Sequence, residues 1–443
     1  MLDRTRFLFA LAGACLREPW TATGLRAALD RAAAGHRVHV PGLAARILGH
    51  FPEPPGYGAL LAFLVADARL MRALNRPTGR AIPKRGRPAM DSPPPSLAAV
   101  QLPPLATEVA LAAHLNLDPA RLRWYADLTG RNRHHPPGPL RTYRHRWVAK
   151  PGGRARLLEV PTFSLKRIQR TILTDILNHV PPHPAAHGFR PGRSAVTNAI
   201  EHCGRSVVMK FDLADFFPSV AAARVVRLFR TLGYPEAVAR LLAGLCTTRT
   251  PADVWKARPN PAADGSDHVS RLRLVARHLP QGAPTSPALA NLAAHRLDRR
   301  LAGLATAIGA TYTRYADDLT FSGDIDLARR SHRLAGLVAE VASEEGFALN
   351  ARKTRVLRRG GRQTVTGVVV NAKPNLPRAA YDRLKATLTN CVRKGTASQN
   401  RENRADFRAH LAGRVAHAAA INPARGRKLW ALFDAIAWAE PPP

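Results

Sequence analysis

The sequence predicts an α+β fold in which a region of mixed helices and short strands lies between two helical regions. Residues 1–75 and 376–443 carry helical patterns, the first rich in Ala and Leu and the second rich in basic residues. Residues 105–375 alternate helical patterns with short β-branched and aromatic runs, which are typical of strands. A chain of 443 residues is long enough for two or three domains with their own cores.

The N-terminal region is predicted to be a helical extension followed by a linker. Residues 1–75 form the extension, with a break at Pro54–Gly56. The apolar run near the start is too short for a signal peptide and predicts an ordinary amphipathic helix. Several Pro and basic residues between 76 and 104 predict a semi-rigid, solvated linker. No run of the sequence is long enough to predict a membrane span.

Two segments of the central region predict strands that carry carboxylates. Val207–Phe211 is an apolar run that predicts a buried strand, with Asp212 at its C-terminal end. Ala310–Ser322 is rich in β-branched and aromatic residues and predicts two short strands that bend near Ala316 and Asp317. These segments would place three carboxylates at one end of a sheet if the strands are neighbours.

Asp212, Asp317 and Asp318 would be costly to hold together, because like charges raise each other's pKa. Mg²⁺ prefers hard oxygen ligands, and three carboxylates can hold two ions for in-line phosphoryl transfer. A solvated turn is the alternative for the adjacent pair taken alone. Asp215 is a competing ligand, although its position predicts the first turn of a helix, where an acidic residue is an ordinary cap.

The segments around these strands carry further predictions. Pro218 opens a helical pattern that continues through Phe229. Residues 247–280 are polar and contain Pro and Gly, which predicts an insertion or a long loop. Leu289–Leu301 predicts a helix after a Pro-containing loop.

The charge balance predicts a polyanionic partner. The chain has 67 Lys and Arg against 31 Asp and Glu, a formal charge of +36. Such an excess favours binding through phosphates that is weakened by salt, although part of it also fits an Ala/Arg-rich composition. The four cysteines are widely spaced and form neither a CxxC pair nor a zinc pattern, which fits a reducing cytoplasm. No membrane partner is expected.

The motifs stand in the order found in reverse transcriptases, and the chain resembles the bacterial retron type over about residues 105–440. Asn198–His202 and Val365–Gly367 are the two elements that point to retrons. The motifs that carry the wider resemblance are Arg154–Pro161, Leu165–Leu173, His187–Ser194, Asp212–Ser219, Gln281–Pro287, Leu289–Leu292, Tyr315–Asp318, Leu349–Thr354 and Val365–Asn371.

The resemblance implies a right-hand polymerase with a helical N-terminal extension. The fingers and palm would span residues 105–375, and the basic helices of residues 376–443 would form the thumb. It makes Asp212, Asp317 and Asp318 the catalytic carboxylates that bind two Mg²⁺ ions. The nucleotide would contact Arg156, Arg190, Phe217, Gln281 and Lys353, with Phe217 as the steric gate against a 2′-hydroxyl. The RNA would contact Asn198, His202, Val365, Thr366 and Gly367.

The implied activity is RNA-directed DNA synthesis from dNTPs. Enzymes of the retron type copy part of a cognate structured non-coding RNA and prime from the 2′-hydroxyl of a guanosine. The product is msDNA, a single-stranded DNA branched from RNA. Such systems are associated with antiphage defence, usually with a separate effector protein.

Three alternatives stay open at this point. A group II intron maturase usually continues past the thumb, where this sequence ends. A diversity-generating reverse transcriptase departs from the Gln281–Pro287 motif. A non-catalytic RNA-binding protein on a polymerase fold would be expected to have lost one of the three carboxylates.

Overall fold

The chain divides into two compact units, Met1–Arg87 and Pro88–Pro443. A computed structural model describes residues 8, 11–16, 18–34, 42–75, 90, 97, 100–149, 155–259 and 267–438. Most of the predicted linker of residues 76–104 lies outside the described residues. Its last part differs from the prediction, because Val100 and Leu102 pack against the core of the second unit instead of being solvated. No helix in the described part of the chain is both long and apolar enough to cross a membrane.

The first unit is helical, as its sequence predicts. Leu25, Ile47, Leu60 and Leu64 are fully buried in a core of their own, because apolar residues recur at helical spacing. The bounds of the helices are α1 Ala22–Ala34, α2 Leu43–His50, α3 Tyr57–Ala66 and α4 Ala68–Asn75.

The second unit combines helices with three small sheets. Its strands are β1 Tyr143–Ala149, β2 Ala155–Pro161, β3 Val207–Asp212, β4 Thr311–Tyr315, β5 Asp318–Gly323, β6 Arg355–Arg358, β7 Thr364–Val365 and β8 Val368–Val369. Its helices up to the central sheet are α5 Glu108–His114, α6 Pro119–Ala126, α7 Phe163–Asp175, α8 Ala195–Ile200, α9 Ala222–Thr231, α10 Glu236–Cys246, α11 Ala252–Lys256, α12 Asp267–Val275, α13 Ser286–Ala293 and α14 His295–Ala307. The later helices are α15 Ile325–Arg329, α16 Ser331–Glu344, α17 Arg378–Lys394, α18 Phe407–Ile421 and α19 Pro423–Asp434.

The central sheet is antiparallel, in the order β4-β5-β3-β6. Val207, Met209, Phe211 and Phe321 are buried and join the main core beneath it. The β3 strand and the β4–β5 hairpin are therefore neighbours, which confirms the strand predictions. Pairing of β3 with β5 fixes which of their side chains share an end of the sheet.

Two other segments differ from their predictions. The helix expected from Pro218 begins only at Ala222. The delay has a physical cause, because Ala221 is extended and forms a bridge with His278, and the Ala222 N–H donates to the Arg277 carbonyl at 2.9 Å. Residues 247–280 are not a long loop, because they contain α11 and α12 and return through a bridge between Thr248 and His278.

The C-terminal helices α17–α19 share a hydrophobic cluster centred on Leu388, Leu411, Val415 and Leu429. The predicted helical character of this region is confirmed. Before them, the short β7–β8 hairpin turns through Thr366 and Gly367, which both have positive φ (47° and 85°). Two positive φ values are typical of a tight type I′ hairpin turn, in which Gly is favoured at the second position.

Candidate active site

Three carboxylates meet at one end of the central sheet. Asp212 ends β3 and lies directly opposite Asp318, the first residue of β5, while Asp317 lies in the turn between β4 and β5. The backbone holds them there, because the Leu213 N–H donates to the Asp317 carbonyl at 2.9 Å and the Asn350 N–H donates to the Asp212 carbonyl at 2.7 Å. The turn is tight, and Ala316 has a φ of 56°, which is uncommon for a residue with a Cβ.

The carboxylates are held against their electrostatic preference. Burial, followed by repulsion from Asp212, raises the pKa of Asp317. Burial, followed by repulsion from Asp317, raises the pKa of Asp318. The Lys353 ammonium donates to Asp212 Oδ2 at 2.7 Å and partly neutralises the group. A lysine ammonium bound in this way marks the position as one that attracts cations.

The donor set fits divalent metal ions that also bind a substrate. Among the described residues, no three His, Cys, Asp or Glu side chains form a set that could hold a metal ion by themselves. Mg²⁺ is usually bound by one or two carboxylates together with substrate phosphates, not by a cage made only of protein ligands. Asp212, Asp317 and Asp318 match that pattern, because they are oxygen donors with excess negative charge.

A buried polar cluster supports the catalytic turn from behind. Arg314 is fully buried in β4 and forms an ion pair with Asp298 of α14, with Nη2 and Oδ2 2.6 Å apart. Arg314 also donates to the Ala316 carbonyl at 3.1 Å and to Asn291 Oδ1 at 2.9 Å. Asn291 in turn donates to the Gly188 carbonyl at 2.9 Å. The cluster therefore joins two helices and a loop to the turn that holds Asp317.

Sequence reasoning did not find the roles of Arg314 and Asp298. The available signal was an arginine within a strand of Thr and Tyr residues that predicts burial in a sheet, since a buried charge needs a partner. Gly188 completes the support, because an added Cβ would lie 2.6 Å from the Ala316 backbone nitrogen. Only glycine allows the loop before Phe189 to approach the catalytic turn so closely.

The residues predicted to contact the nucleotide differ in their exposure and in their present contacts. Arg156 is exposed on β2, and its positive charge offsets a small part of the rise that burial and Asp212 cause in the pKa of Asp317, which places that charge near the site. Arg190 is half-buried, and its Nη1 is buried without a hydrogen-bond partner among the described residues. Gln281 is half-buried, and its carbonyl accepts from the Glu159 N–H of β2 at 2.9 Å. Lys353 contacts Asp212 instead of standing free for a phosphate.

Phe217 is half-buried, and its ring centroid lies 5.9 Å from that of Phe189. Phe216, by contrast, is buried and belongs to the core. Phe217 therefore presents an aromatic ring near the surface five residues after Asp212.

Asp215 differs from its prediction as a helix cap. It has a φ of 50°, and its Oδ2 accepts from Ser270 Oγ at 2.6 Å and from Arg273 Nη1 at 3.3 Å, both on α12. The capping prediction was wrong because α9 begins too far along the chain, and the carboxylate instead pairs with a helix from residues 247–280.

The two elements predicted to bind RNA lie against each other, although they are far apart in the sequence. Thr366 Oγ1 donates to the Ala195 carbonyl of α8 at 2.7 Å. Asn198 on α8 is buried, and neither amide atom has a partner in the described part of the chain. Gly367 is exposed at the tip of the β7–β8 turn, and Val365 is fully buried in the cluster beneath.

His202 is fully buried and cannot contact RNA directly in this conformation. Its Nδ1 lies 2.7 Å from Ser322 Oγ, and its Nε2 lies 2.7 Å from Thr313 Oγ1. Burial lowers the pKa of His202 to about 3, so the ring is neutral. The direct RNA contact expected of His202 is therefore corrected to a supporting role. The same correction applies to Asn198 and Val365, which are also buried.

Comparison with known proteins decides the family. Residues 148–380 match the family described as reverse transcriptase (RNA-dependent DNA polymerase). This chain belongs to the reverse transcriptase family. It is 44% identical over 335 residues to the retron Mx65 reverse transcriptase of Myxococcus xanthus, covering 75% of this chain and 72% of that protein. It is 39% identical to the retron Mx162 reverse transcriptase of the same species, covering 74% and 66%. It is 31% identical to the retron Ec86 reverse transcriptase of Escherichia coli, covering 54% and 66%.

These similarities make the chain a bacterial retron reverse transcriptase and an RNA-directed DNA polymerase. The matched region implies a fold of palm, fingers and thumb, with which the mixed helices and sheets agree. It contains the three carboxylates and both retron elements. Enzymes of this family generally use divalent metal ions, which agrees with the oxygen donors at the end of the sheet.

Proposed function

We propose that this reverse transcriptase copies part of its own structured non-coding RNA into msDNA, a DNA strand joined to RNA through the 2′-hydroxyl of a guanosine. The observation that carries the catalytic part is the placement of Asp212 opposite Asp318, with Asp317 in the adjoining turn. The retron part is supported by the contact between the Asn198 helix and the Thr366 turn, together with the similarity to retron enzymes.

Asp212, Asp317 and Asp318 would hold two Mg²⁺ ions, which lower the pKa of the primer hydroxyl and neutralise the leaving pyrophosphate. The chain's own residues prepare this chemistry. The buried Arg314–Asp298 pair fixes the turn, so the carboxylates stay close despite their repulsion. Lys353 would leave Asp212 when the nucleotide arrives and donate to its phosphates, since a lysine ammonium pairs with either anion.

Arg156 and Arg190 would bind the triphosphate. A guanidinium suits paired phosphate oxygens, and both side chains are at least partly exposed. Phe217 would lie beneath the sugar and clash with a 2′-hydroxyl, which favours deoxynucleotides. Gln281 would support the nucleotide or the template base from the segment that pairs with β2.

RNA recognition would use the surface around α8 and the β7–β8 turn. Thr366 and Gly367 are accessible there, while His202 and Val365 hold that surface in shape from within. Asn198 is buried as well, so it would also support this surface from within. Exposed basic residues of the C-terminal helices, Arg378 among them, would grip the duplex product beside it.

The test is to express the chain together with the DNA that neighbours its gene and to sequence the nucleic acid that co-purifies. The expected product is a DNA strand joined to RNA by a 2′–5′ linkage and released by debranching enzyme. The Asp317→Asn variant is the matched control and should yield RNA without DNA. Only cDNA with an ordinary 3′ primer, unaffected by debranching, would contradict the retron mechanism and leave the polymerase activity intact.

RNA choice can be tested separately from catalysis. Exchange of residues 365–443 for the same region of another retron enzyme should transfer the preference for the cognate RNA. DNA synthesis should continue, because the three carboxylates are unchanged. A chimera that keeps its original RNA preference would place recognition elsewhere in the chain.

The proposed biological role is antiphage defence together with a separate effector protein. Plating of phage on cells that carry the complete locus should show protection that Asp317→Asn removes. Equal plating on both strains, across a panel of phages, would contradict this role without affecting the polymerase assignment.

A further inference from the structure

The second unit contains a surface cavity away from the three carboxylates that combines aromatic and basic side chains. It has a volume of about 350 Å³ and lies between α6 and α7. Its wall includes Arg121, Trp124 and Tyr125 from α6 and Ser164 and Arg167 from α7. The catalytic proposal uses none of these residues. We propose that this cavity is a subsite for single-stranded polynucleotide, in which a base stacks on Trp124 and the adjoining phosphates contact Arg121 and Arg167.

The aromatic wall is open to a ligand. Trp124 is 37% exposed. Its ring therefore leaves a large apolar area in water, which a ligand could cover. Tyr125 lies edge-on to it, with ring centroids 4.6 Å apart. The edge-on neighbour orients the indole and leaves Trp124 as a surface on which a flat ring can stack. Phe163, the first residue of α7, adds a third aromatic ring nearby in sequence and is 80% exposed.

The charge of the cavity favours a phosphate backbone. The residues that line it include two arginines and no carboxylate. Arg121 has a contact with Asp118 at 3.4 Å, but both side chains are more than half exposed, so that pair is weak. Arg167 has no ion pair among the described residues, and Lys166 and Arg170 flank it on α7. A polynucleotide has both phosphates for the arginines and flat bases for the aromatic rings. An acidic peptide would contact only the arginines.

The position of the cavity is suitable for a strand that passes through the catalytic site. The α7 helix begins two residues after β2, and β2 carries Arg156 near its other end. Ser164 of the cavity wall comes eight residues after Arg156, so the Cα atoms of these two residues are at most about 29 Å apart. A template or product strand of several nucleotides can therefore reach both places.

The experiment measures binding of two short probes to the full-length chain without dNTPs. Fluorescein-labelled oligo(U) and oligo(dT) of 12 nucleotides are titrated, and Trp124→Ala is expected to weaken binding by about tenfold, since one base stack is lost. Trp124→Phe should retain most of the affinity. Arg167→Gln should weaken binding less and reduce the salt dependence by about one phosphate contact. Arg329→Ala is the charge-matched control, because Arg329 lies on α15 beside Asp326 and outside the cavity.

Photocrosslinking locates the contact independently of affinity. The same probes with 5-bromouracil bases should crosslink to the peptide that contains Trp124 and Tyr125.

The affinities of Trp124→Ala decide which nucleic acid binds. A loss of affinity for oligo(U) alone assigns the subsite to RNA, and a loss of affinity for oligo(dT) alone assigns it to DNA. The proposal is overturned if Trp124→Ala changes neither affinity by more than twofold while its thermal unfolding is unchanged. It is also overturned if the variant loses binding to a Glu-rich peptide and not to the oligonucleotides. Extension of a primer with a one-nucleotide template overhang should be unaffected, which separates this result from failure of the polymerase itself.

Discussion

The polar side chains at the two ends of the β4–β5 hairpin lie in opposite electrostatic environments. At the turn, Asp317 and Asp318 are held together although burial and mutual repulsion raise their pKa. Farther along the same strands, Thr313 and Ser322 each pair with the buried, neutral ring of His202. One end keeps negative charge that Lys353 neutralises only in part, and the other end completes its hydrogen bonds within the protein. Both produce short sequence motifs, but only the first has the electrostatic character of a reaction site.

The largest effect expected from this comparison is on DNA synthesis. Asp317→Asn or Asp318→Asn should lower the rate of primer extension with Mg²⁺ by at least about 10³-fold, because each removes a charge assigned to the metal ions. RNA affinity should change by less than about twofold, since these residues lie apart from the surface formed by α8 and the β7–β8 turn. Extension rates and filter binding measure the two quantities on the same preparations. Substantial extension by either variant would reject the assignment of the carboxylates.

At the other end of the hairpin, His202→Ala should lower the stability of the protein. The change leaves the buried hydroxyls of Thr313 and Ser322 without their partner and opens a cavity, which costs about 2–4 kcal/mol of unfolding free energy. Urea denaturation followed by tryptophan fluorescence measures the loss. His202→Gln is the control, because its amide can restore one of the two hydrogen bonds. Lower RNA affinity with unchanged stability would instead show that His202 reaches RNA directly.

The two adjacent phenylalanines allow a similar contrast beside the catalytic turn. Phe217→Val should reduce the preference for dNTPs over rNTPs by about 10- to 100-fold, as expected when one steric contact in a binding pocket is removed. Phe216→Val should leave sugar preference unchanged and lower stability, because Phe216 is buried in the core. Competition between dNTPs and rNTPs in single-nucleotide extension measures the preference. An unchanged ratio for Phe217→Val would assign the gate to another residue.

Local patterns predicted the parts of the site that depend on local structure. The apolar run before Asp212 and the β-branched composition around Tyr315–Asp318 predicted the strands that carry the three carboxylates. That the strands are neighbours is known from the pairing of β3 with β5. The sequence could not show that Arg314 pairs with Asp298, since that contact depends on how α14 packs against β4. It also could not show that His202 points inward. A histidine in a motif has the same letter whether it contacts RNA or Thr313, and only tertiary packing distinguishes the two.

The smallest expected effect is on the stability of the charged end of the hairpin. A raised pKa means that the folded chain binds the Asp318 proton more tightly than the unfolded chain does. Stability therefore falls as pH rises through the pKa of the unfolded chain and then that of the folded chain, and the full cost is present above both. Asp318→Asn removes this cost, so it should raise the melting temperature in EDTA by about 1–2 °C if the cost is about 1 kcal/mol, because the unfolding entropy of a unit as large as Pro88–Pro443 is high.

Addition of MgCl₂ should reverse the order of the two proteins. Mg²⁺ that binds the native chain stabilises it, and tighter binding stabilises it more. Asp318→Asn has one carboxylate fewer, so it should bind Mg²⁺ more weakly than the wild-type chain. Asp326→Asn is the matched control, because Asp326 is an exposed carboxylate that pairs with Arg329, outside the group of three. It should show neither the gain in EDTA nor the loss of the Mg²⁺ response. If Asp318→Asn melts below the wild-type chain in EDTA, the carboxylate is satisfied within the protein, and the contrast between the two ends of the hairpin does not hold.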